Sequence, residues 1–379
     1  MKQLYRDVMT AKINFIDLKA QYADLRESIN SGIQTVLDHG QYVMGPEVRD
    51  LEKKLAEYTG AKHCLTVSSG TDALLISLMA LGVKSGDEVI TSPFTFVATA
   101  EVIALVGATP VFVDIQPDTY NIDPEQIELA ITSRTKAIIP VSLYGQVADL
   151  DEINAIAARN GDISVIEDAA QSFGATYKGD KSCNRSTLGC TSFFPSKPLG
   201  CYGDGGAVFT SDDDLADLVR QIRVHGEDGR YHHKRVGVGG RMDSIQCAVV
   251  LAKLERFDWE LERRKAAGKR YIELLAGSEA ITAPVVRDDR DCVWGQFTVG
   301  SYHREEVLEK LREQGIPAAV HYPVPLHRQP AYANICRVPG GLEQADLASG
   351  RVFSLPMHPY IDARTQQHII RSILEAIPG

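Results

Sequence analysis

Between residues 60 and 210, short apolar runs rich in β-branched residues alternate with longer Ala/Leu-rich segments of helical periodicity. The short runs predict seven strands, at 64–67, 88–90, 110–115, 136–141, 164–167, 191–194 and 207–210. The periodic segments predict helices at 71–81, 97–106, 124–131 and 149–159. Strands that alternate with helices are typical of a mostly parallel sheet covered on both faces, so this pattern predicts a large α/β domain.

The pattern changes after residue 243. A helical segment without proline predicts one helix from Asp243 to about Leu275, a rod of about 33 residues and about 50 Å at 1.5 Å per residue. Beyond it, QFTVG (296–300) predicts a weak strand, and helices are predicted at 304–314 and 363–376. We therefore expect two domains: a large α/β domain over residues 1–250 and a smaller α+β domain over 251–379.

Composition narrows the class of protein. Hydrophobic residues make up 44% and charged residues 24%, as in ordinary globular chains. The net charge of −10 and the lack of a basic block argue against nucleic acid as a partner. No apolar run reaches the ~20 residues that span a bilayer, and the first twelve residues hold no apolar signal segment, so we expect a cytoplasmic protein. Seven scattered cysteines without C-x-x-C spacing predict free thiols, and no metal site is predicted.

The candidate chemistry lies where apolar strands end, the edge at which open α/β sheets bind ligands. The sequence lacks the G-x-G-x-x-G dinucleotide fingerprint, and its nearest approach to a P-loop has Asp180 where the lysine must stand. In SSGTDALLISL (68–78), Gly70 permits close approach to the backbone, and the amides at the helix start can bind a phosphate. An ordinary N-cap is the alternative interpretation.

Two charged side chains follow other strands. In SVIEDAAQSFGA (164–175), Asp168 ends a buried strand, where a carboxylate needs a cation such as a protonated pyridine nitrogen. In TSFFPSKPLGCYGDGGAV (191–208), Pro198 favours extended geometry at Lys197. A partly desolvated lysine there has a lowered pKa and is a ready amine for a Schiff base. A capping acid and a surface-loop lysine are the alternatives.

The order of these features is more informative than any one of them. Phe96 follows a strand end and could lie flat on a planar cofactor, although core packing also explains it. Along the chain, the helix start of phosphate-binding type comes first and Phe96 second. Asp168 follows, with Gln171 three residues after it. Ser192 and Lys197, five residues apart, come last. This order resembles the fold-type-I pyridoxal-phosphate enzymes, and specifically the DegT-type nucleotide-sugar aminotransferases.

The resemblance covers nearly the whole chain, from NFIDLKAQY (14–22) and HGQYVMGPEV (39–48) to MDSIQCAVVLAKL (242–254) and SLPMHPY (354–360). It implies a mostly parallel seven-stranded sheet flanked by helices, with a smaller C-terminal α+β domain. It also implies a homodimer with the active site at the subunit interface.

The resemblance implies roles at the pyridine ring. Lys197 binds pyridoxal 5′-phosphate covalently through its amine and later moves protons. Asp168 pairs with the pyridinium nitrogen, so that both residues are catalytic. Gln171 lies near the ring hydroxyl, and Phe96 stacks on the ring.

Other implied roles concern the phosphate. Ser192 and the Gly70-Thr71 backbone hold it. In VGVGGRMD (236–243), however, Gly239 stands where the family usually has an Asn that reaches the phosphate of the neighbouring subunit's cofactor. That contact is therefore in doubt; a backbone amide, a water or Arg241 are the substitutes.

On the substrate side, the implied residues are Arg235, Arg241, His321 and Tyr322. The two arginines and the histidine are the candidates for binding a carboxylate. The alternative for these clusters is a polar surface loop.

The implied activity moves an amino group from glutamate to the 3-keto carbon of UDP-2-acetamido-2-deoxy-3-oxo-hexuronic acid. The products are a UDP-3-amino sugar for lipopolysaccharide O-antigen synthesis and 2-oxoglutarate. The first alternative is another nucleotide-linked 3- or 4-keto sugar. A pyridoxal-dependent sugar dehydratase carries His in place of Lys197, and a non-catalytic sensor adds a DNA-binding module, so both are less favoured.

Overall fold

The computed structural model describes residues 12–377. The first eleven residues, for which the sequence predicts no signal segment, lie outside that range. Within it, the strands are β1 (His63–Val67), β2 (Glu88–Thr91), β3 (Thr109–Phe112), β4 (Thr135–Ile139), β5 (Ser164–Asp168), β6 (Thr176–Tyr177), β7 (Asp180–Lys181), β8 (Leu188–Ser192), β9 (Gly206–Thr210), β10 (Glu227–Gly229), β11 (His232–His233), β12 (Phe297–Gly300) and β13 (Val352–Leu355).

Seven of these strands form one sheet in the order β1-β9-β8-β5-β4-β2-β3. Strands β3, β2, β4, β5 and β8 pair in parallel, whereas β9 is antiparallel to both of its neighbours. The seven predicted strands and the mostly parallel sheet are confirmed. The sixth strand ends two residues earlier than predicted, because the chain leaves the sheet at Ser192 for the turn that carries Lys197.

Helices cover both faces of the sheet and extend beyond it. In the described residues they are α1 (Leu18–His39), α2 (Pro46–Thr59), α3 (Gly70–Ala80), α4 (Ala98–Leu105), α5 (Pro124–Ala130), α6 (Leu150–Arg159), α7 (Asp213–Ile222), α8 (Ser244–Leu254), α9 (Phe257–Leu275), α10 (Arg304–Glu313), α11 (Glu343–Arg351) and α12 (Ala363–Leu374). One buried cluster packs α2 and α6 against one face, and a second packs α3, α4 and α7 against the other. The near-continuous apolar strands are therefore buried on both sides.

The predicted single rod from Asp243 to Leu275 is wrong. The chain forms two helices instead, because Arg256 adopts a non-helical conformation with φ −111° and ψ 0°. The break turns the Phe257 ring into the core, where it is 1% exposed. The Arg256 guanidinium meanwhile lies 4.0 Å from the centroid of the Trp259 ring.

A third buried cluster lies in the C-terminal part of the chain. It joins α9 to α10, α12 and the antiparallel pair β12 and β13. The proposed boundary at residue 250 between two domains stays a prediction. No helix in residues 12–377 is both long enough and apolar enough to cross a membrane.

The sheet brings distant segments together at one edge. Strands β1, β2, β4, β5 and β8 end at this edge, and the antiparallel β9 begins there. The residues that follow these strand ends are therefore neighbours in space, although up to about 140 residues separate them in sequence.

Candidate active site

A cavity of about 500 Å³ opens at this edge of the sheet. It is lined by nine of the eleven residues that the sequence nominated: Gly70, Thr71, Phe96, Asp168, Gln171, Ser192, Lys197, His321 and Tyr322. The first seven follow strand ends, and the last two come from the C-terminal part of the chain. A single cavity thus collects a buried acid, an amine, an aromatic ring and a helix start.

Asp168 lies at the end of β5 and is 7% exposed. Its Oδ2 accepts a hydrogen bond from the Thr99 hydroxyl at 3.0 Å, and its Oδ1 accepts one from the Ala170 amide at 3.2 Å. Burial raises the pKa of the Asp168 carboxyl, while these two hydrogen bonds and the charge of Lys197 oppose that rise. A buried carboxylate in this position gains from a further cation.

Lys197 is half-buried on the turn after β8. Its amide donates to the Phe194 carbonyl at 2.9 Å, which fixes the turn. Burial lowers the pKa of the Lys197 amine, and the negative charge of Asp168 partly opposes that change. The two groups are therefore coupled, and burial favours the neutral, nucleophilic amine.

The phosphate-type turn is tightly packed. The Ser69 hydroxyl caps α3 by accepting from the Asp72 amide at 3.0 Å. A Cβ at Gly70 would lie 2.6 Å from the Ser192 Cβ and 3.1 Å from its hydroxyl oxygen. A Cβ at Gly206 would lie 2.5 Å from the Ser69 carbonyl. Glycines at both positions let the helix start and the Ser192 hydroxyl face one small space, which suits a phosphate group.

Phe96 lies beside this space and is 53% exposed. Its ring centroid is 6.5 Å from that of Tyr322, at an interplanar angle of 45°. Since an exposed ring at a cavity wall gains from covering by a flat ligand, Phe96 fits a stacking partner for a planar cofactor. Together with Asp168, Lys197 and the phosphate-type turn, it makes the cavity fit pyridoxal phosphate.

Gln171 connects two parts of the chain. Its Oε1 accepts from the Tyr144 amide at 2.8 Å, and its Nε2 donates to the Tyr322 hydroxyl at 3.0 Å. The side chain is 3% exposed and is held at both ends. The Tyr144 hydroxyl also donates to the His321 carbonyl. These bonds fix the 321–322 segment over the strand ends.

His321 is held in the cavity wall by a chain of hydroxyl groups. Its Nδ1 lies 2.9 Å from the Ser354 Oγ, which is 2.8 Å from the Thr298 Oγ1. Burial and the nearby charge of Lys197 lower the pKa of His321. The ring is therefore neutral near pH 7 and offers hydrogen bonds rather than a full positive charge.

Arg235 and Arg241 do not line the cavity of their own chain. They flank Gly239 in the segment that returns from the short hairpin β10–β11. A Cβ at Gly239 would lie 3.2 Å from His225 Cε1 and 4.0 Å from an Arg241 terminal nitrogen. The His225 ring thus covers the place where other residue types would project a side chain.

Sequence reasoning missed several residues of the site. Thr99 binds Asp168, and its signal was a small polar residue on a mostly apolar helix that follows a strand end. Ser354 and Tyr144 gave no local signal, because their contacts are formed only by the tertiary fold. Asp204 also lines the cavity and lies within the glycine-rich segment that the sequence did single out.

Comparison with known proteins identifies the family. The model of the DegT/DnrJ/EryC1/StrS aminotransferase family matches residues 23–374. A UDP-2-acetamido-2-deoxy-3-oxo-D-glucuronate aminotransferase from Pseudomonas aeruginosa is 58% identical over 351 residues, 92% of this chain and 96% of the relative.

Solved structures agree. A DegT/DnrJ/EryC1/StrS aminotransferase from Brucella abortus superimposes with a TM-score of 0.93 at 43% identity, covering 96% of this chain and 99% of that one. NtdA from Bacillus subtilis, with its cofactor PMP bound, gives a TM-score of 0.87 at 30% identity and covers 96% and 83%.

Proposed function

Since the chain belongs to the DegT/DnrJ/EryC1/StrS aminotransferase family and its cofactor is pyridoxal phosphate, we propose that it aminates the 3-keto carbon of UDP-2-acetamido-2-deoxy-3-oxo-hexuronic acid. Glutamate donates the amino group and leaves as 2-oxoglutarate. The 58% identity to the Pseudomonas aeruginosa enzyme supports this substrate. The product, a UDP-3-amino sugar, suits lipopolysaccharide O-antigen synthesis.

The observation that carries the assignment of the site is one cavity that holds a buried carboxylate, an amine and a glycine-lined helix start beside an exposed aromatic ring. In this proposal the α3 start and Ser192 hold the phosphate, Phe96 covers the ring, and Lys197 binds the carbonyl carbon. When bound, pyridoxal phosphate supplies a sink for the electrons of a broken Cα–H bond.

Asp168 keeps a proton on the pyridine nitrogen. Its carboxylate is fixed by Thr99 and Ala170, so it meets the cation without reorganising. Because removing the Asp168 carboxylate from water is costly, a cation beside it offsets part of that cost.

Lys197 transfers protons at two substrate carbons, one in each half-reaction. Its amine, which burial holds in the neutral form more than a surface lysine, removes the proton from Cα of glutamate. In the second half-reaction it delivers a proton to C3 of the sugar. Both steps need the amine within hydrogen-bond reach of the reacting carbon, and the short 194–197 turn provides that rigidity.

The nucleotide sugar carries a diphosphate and a carboxylate, yet no arginine lines the described cavity. We infer that Arg235 and Arg241 serve the cavity of a second subunit in a homodimer. The exposed Tyr231 and Val236 support this, because at 80% and 85% exposure they mark the hairpin segment as a surface that gains from a partner. His321 and Tyr322 then contact the sugar from the same chain as the cofactor.

Complementation tests the shared site. Lys197→Ala subunits are mixed with Arg235→Ala/Arg241→Ala subunits, refolded together, and assayed with the sugar well below the wild-type KM, where the raised KM of the arginine variant leaves it little activity of its own. If the arginines act in the partner's cavity, each mixed dimer has one intact site, and roughly a quarter of wild-type activity returns when subunits pair at random. Recovery near zero, with mixed dimers verified by mass, places the arginines in their own subunit and overturns the inference.

Substrate identity is tested by running the reaction backwards with 2-oxoglutarate and a panel of UDP- and dTDP-linked amino sugars. We expect the UDP-3-amino hexuronic acid to be the best substrate by kcat/KM. A 4-amino sugar, or a 3-amino sugar without the carboxylate, used equally well would overturn the proposed substrate and leave the aminotransferase activity intact.

A further inference from the structure

Lys253 is a buried lysine outside the cavity. It lies near the end of α8, is 1% exposed, and does not line the cavity described above. Its Nζ donates to the Gly200 carbonyl at 2.5 Å and lies 4.3 Å from the centroid of the Tyr202 ring. A lysine is almost never fully buried without specific partners, and the Gly200 carbonyl and the Tyr202 ring are partners that stabilise the buried amine.

The carbonyl that Lys253 binds belongs to the turn of Lys197. Gly200 is three residues beyond Lys197, and a Cβ there would lie 2.7 Å from the Phe194 and Pro195 carbonyls. The turn is thus closed on itself, with no space for Gly200 to move independently. A displacement of Gly200 would be transmitted to the backbone of Lys197.

The same helix holds the turn at a second point. Gln246 of α8 accepts from the Tyr202 amide through its Oε1 at 2.8 Å, and its Nε2 lies 3.4 Å from the Tyr202 carbonyl. Between these two points, the Cys201 amide donates to the Phe193 carbonyl at 2.7 Å. Helix α8 therefore grips the 200–202 segment from both sides of Cys201.

We propose that Lys253 is a positioning residue for the aminotransferase reaction, which holds the Lys197 turn in register with Asp168 by fixing the Gly200 carbonyl from α8. This role of Lys253 rests on the proposed role of Lys197 as the amine that binds the cofactor. Lys253 itself touches neither cofactor nor substrate.

The charges around Lys253 suit this role. Burial lowers the pKa of its amine to about 8, and the negative charge of Glu260 on α9 opposes that change. The Glu260 carboxylate has a hydrogen-bond partner of its own, the Gln21 side-chain amide, at 2.8 and 2.9 Å. An amine donates a hydrogen bond in either protonation state, so the grip on Gly200 survives deprotonation.

The test uses the holoenzyme and Lys253→Met, which keeps the length and apolar stem but removes the donor. We expect kcat to fall by about 10–100-fold with KM nearly unchanged, because the amine at 197 is misplaced by a fraction of an ångström. The pH midpoint of the visible absorbance of bound pyridoxal phosphate, which reports the environment of Lys197, shifts by about half a unit or more. Lys253→Arg, which retains a donor, restores part of both values.

Lys269→Met is the matched control, since Lys269 is an exposed lysine of α9 far from the turn, 81% exposed at its side chain. It leaves both readouts at wild-type values. If Lys253→Met lowers the melting temperature but leaves kcat and the absorbance midpoint unchanged, Lys253 is only structural and the proposal is overturned.

If Lys253→Met does not fold, the proposal is tested with Gln246→Leu instead. This variant removes the hydrogen bond between Gln246 of α8 and the Tyr202 amide. We expect kcat to fall and the absorbance midpoint to shift, both by less than in Lys253→Met. Wild-type values for both readouts in folded Gln246→Leu overturn the proposal. Failure of borohydride to fix the cofactor on the peptide containing Lys197 in wild-type enzyme is a separate result, which overturns the proposed role of Lys197 instead.

Discussion

The two halves of the cavity are built differently. In one half, the side chains lie at or just after strand ends of a single sheet, and backbone pairing fixes them: Asp168 ends β5 and Ser192 ends β8. In the other half, His321 and Tyr322 come from an irregular segment held by long-range bonds to Tyr144 and Gln171. The comparison teaches that the side chains to which we assign the cofactor chemistry lie on rigid strand ends, while those to which we assign substrate binding lie on a segment that can change without disturbing the sheet.

Lys197→Ala tests the rigid half most severely. We expect activity to fall by about 10⁴-fold, because the residue that moves protons is removed, while pyridoxal phosphate still binds non-covalently. Turnover assays and borohydride labelling followed by peptide mass analysis measure both effects. Lys54→Ala, at an exposed lysine of α2, is the control and stays at wild type. Label found on any other lysine in the wild type contradicts the assignment.

Asp168→Asn keeps the shape of the acid but removes its charge. We expect a loss of about 10²–10³-fold in kcat, the typical effect of deleting one preorganised electrostatic partner. Its matched neighbour is Glu167, which points to the opposite side of β5 and binds the Ser142 hydroxyl and the Cys183 amide. Glu167→Gln can keep both bonds and stays within a few-fold of wild type. Equal losses in the two variants would contradict the electron-sink role of Asp168.

Arg235→Ala and Arg241→Ala test the other half. We expect KM for the nucleotide sugar to rise about tenfold, since a charge-assisted hydrogen bond to an anion contributes about 1.5–3 kcal/mol, while the affinity for pyridoxal phosphate is unchanged. Steady-state kinetics with varied sugar and a separate cofactor titration separate these effects. Arg220→Ala, next to the same segment but ion-paired with Asp217, is the control. An unchanged KM in both variants contradicts the assigned role.

Gly70→Ala measures how tightly the phosphate-type turn is packed. The new Cβ would lie 2.6 Å from the Ser192 Cβ, so the turn must open, and we expect the affinity for pyridoxal phosphate to fall several-fold. Gly350→Ala is the control, because a Cβ at Gly350 meets no atom within 4 Å. Equal cofactor affinity in both variants would show that the helix start does not set phosphate binding.

Glu167 also predicts a pH effect on stability. Burial raises the pKa of Glu167 to about 7 in the folded chain, from 4.5 for the free group. The folded state therefore holds a proton that the unfolded state has lost, and stability falls as pH rises from about 4.5 to about 7. Denaturant unfolding at several pH values should show this fall in wild type and a weaker one in Glu167→Gln. Parallel curves for the two proteins would contradict the assignment.

The sequence predicted the rigid half well. Asp168, Gln171, Ser192 and Lys197 stand at strand ends, and seven β-branched runs were enough to predict those ends to within a few residues. The structure brings all four into one cavity.

Other features could not be predicted because they depend on tertiary contacts. The break before Phe257 has no proline or glycine to announce it; burial of the ring outweighs helix propensity there. Arg235 and Arg241 matched a motif, but no local pattern says that they stand outside the cavity of their own chain. The burial of Lys253 has no local signal in the sequence either.

The antiparallel course of β9 has a consequence for the lysine. Because β8 leaves the sheet and β9 re-enters beside it, the segment between them is a closed loop whose two ends are tied by the Phe193 amide bond to the Gly205 carbonyl at 2.7 Å. If β9 were parallel to β8, a long crossover segment would have to connect the two strands. The distance from the Lys197 amine to the strand ends would then depend on the length of that segment. Here the loop that carries Lys197 has a fixed length and tied ends. Insertions elsewhere in the protein can therefore change the cavity entrance without moving the Lys197 amine relative to the strand ends.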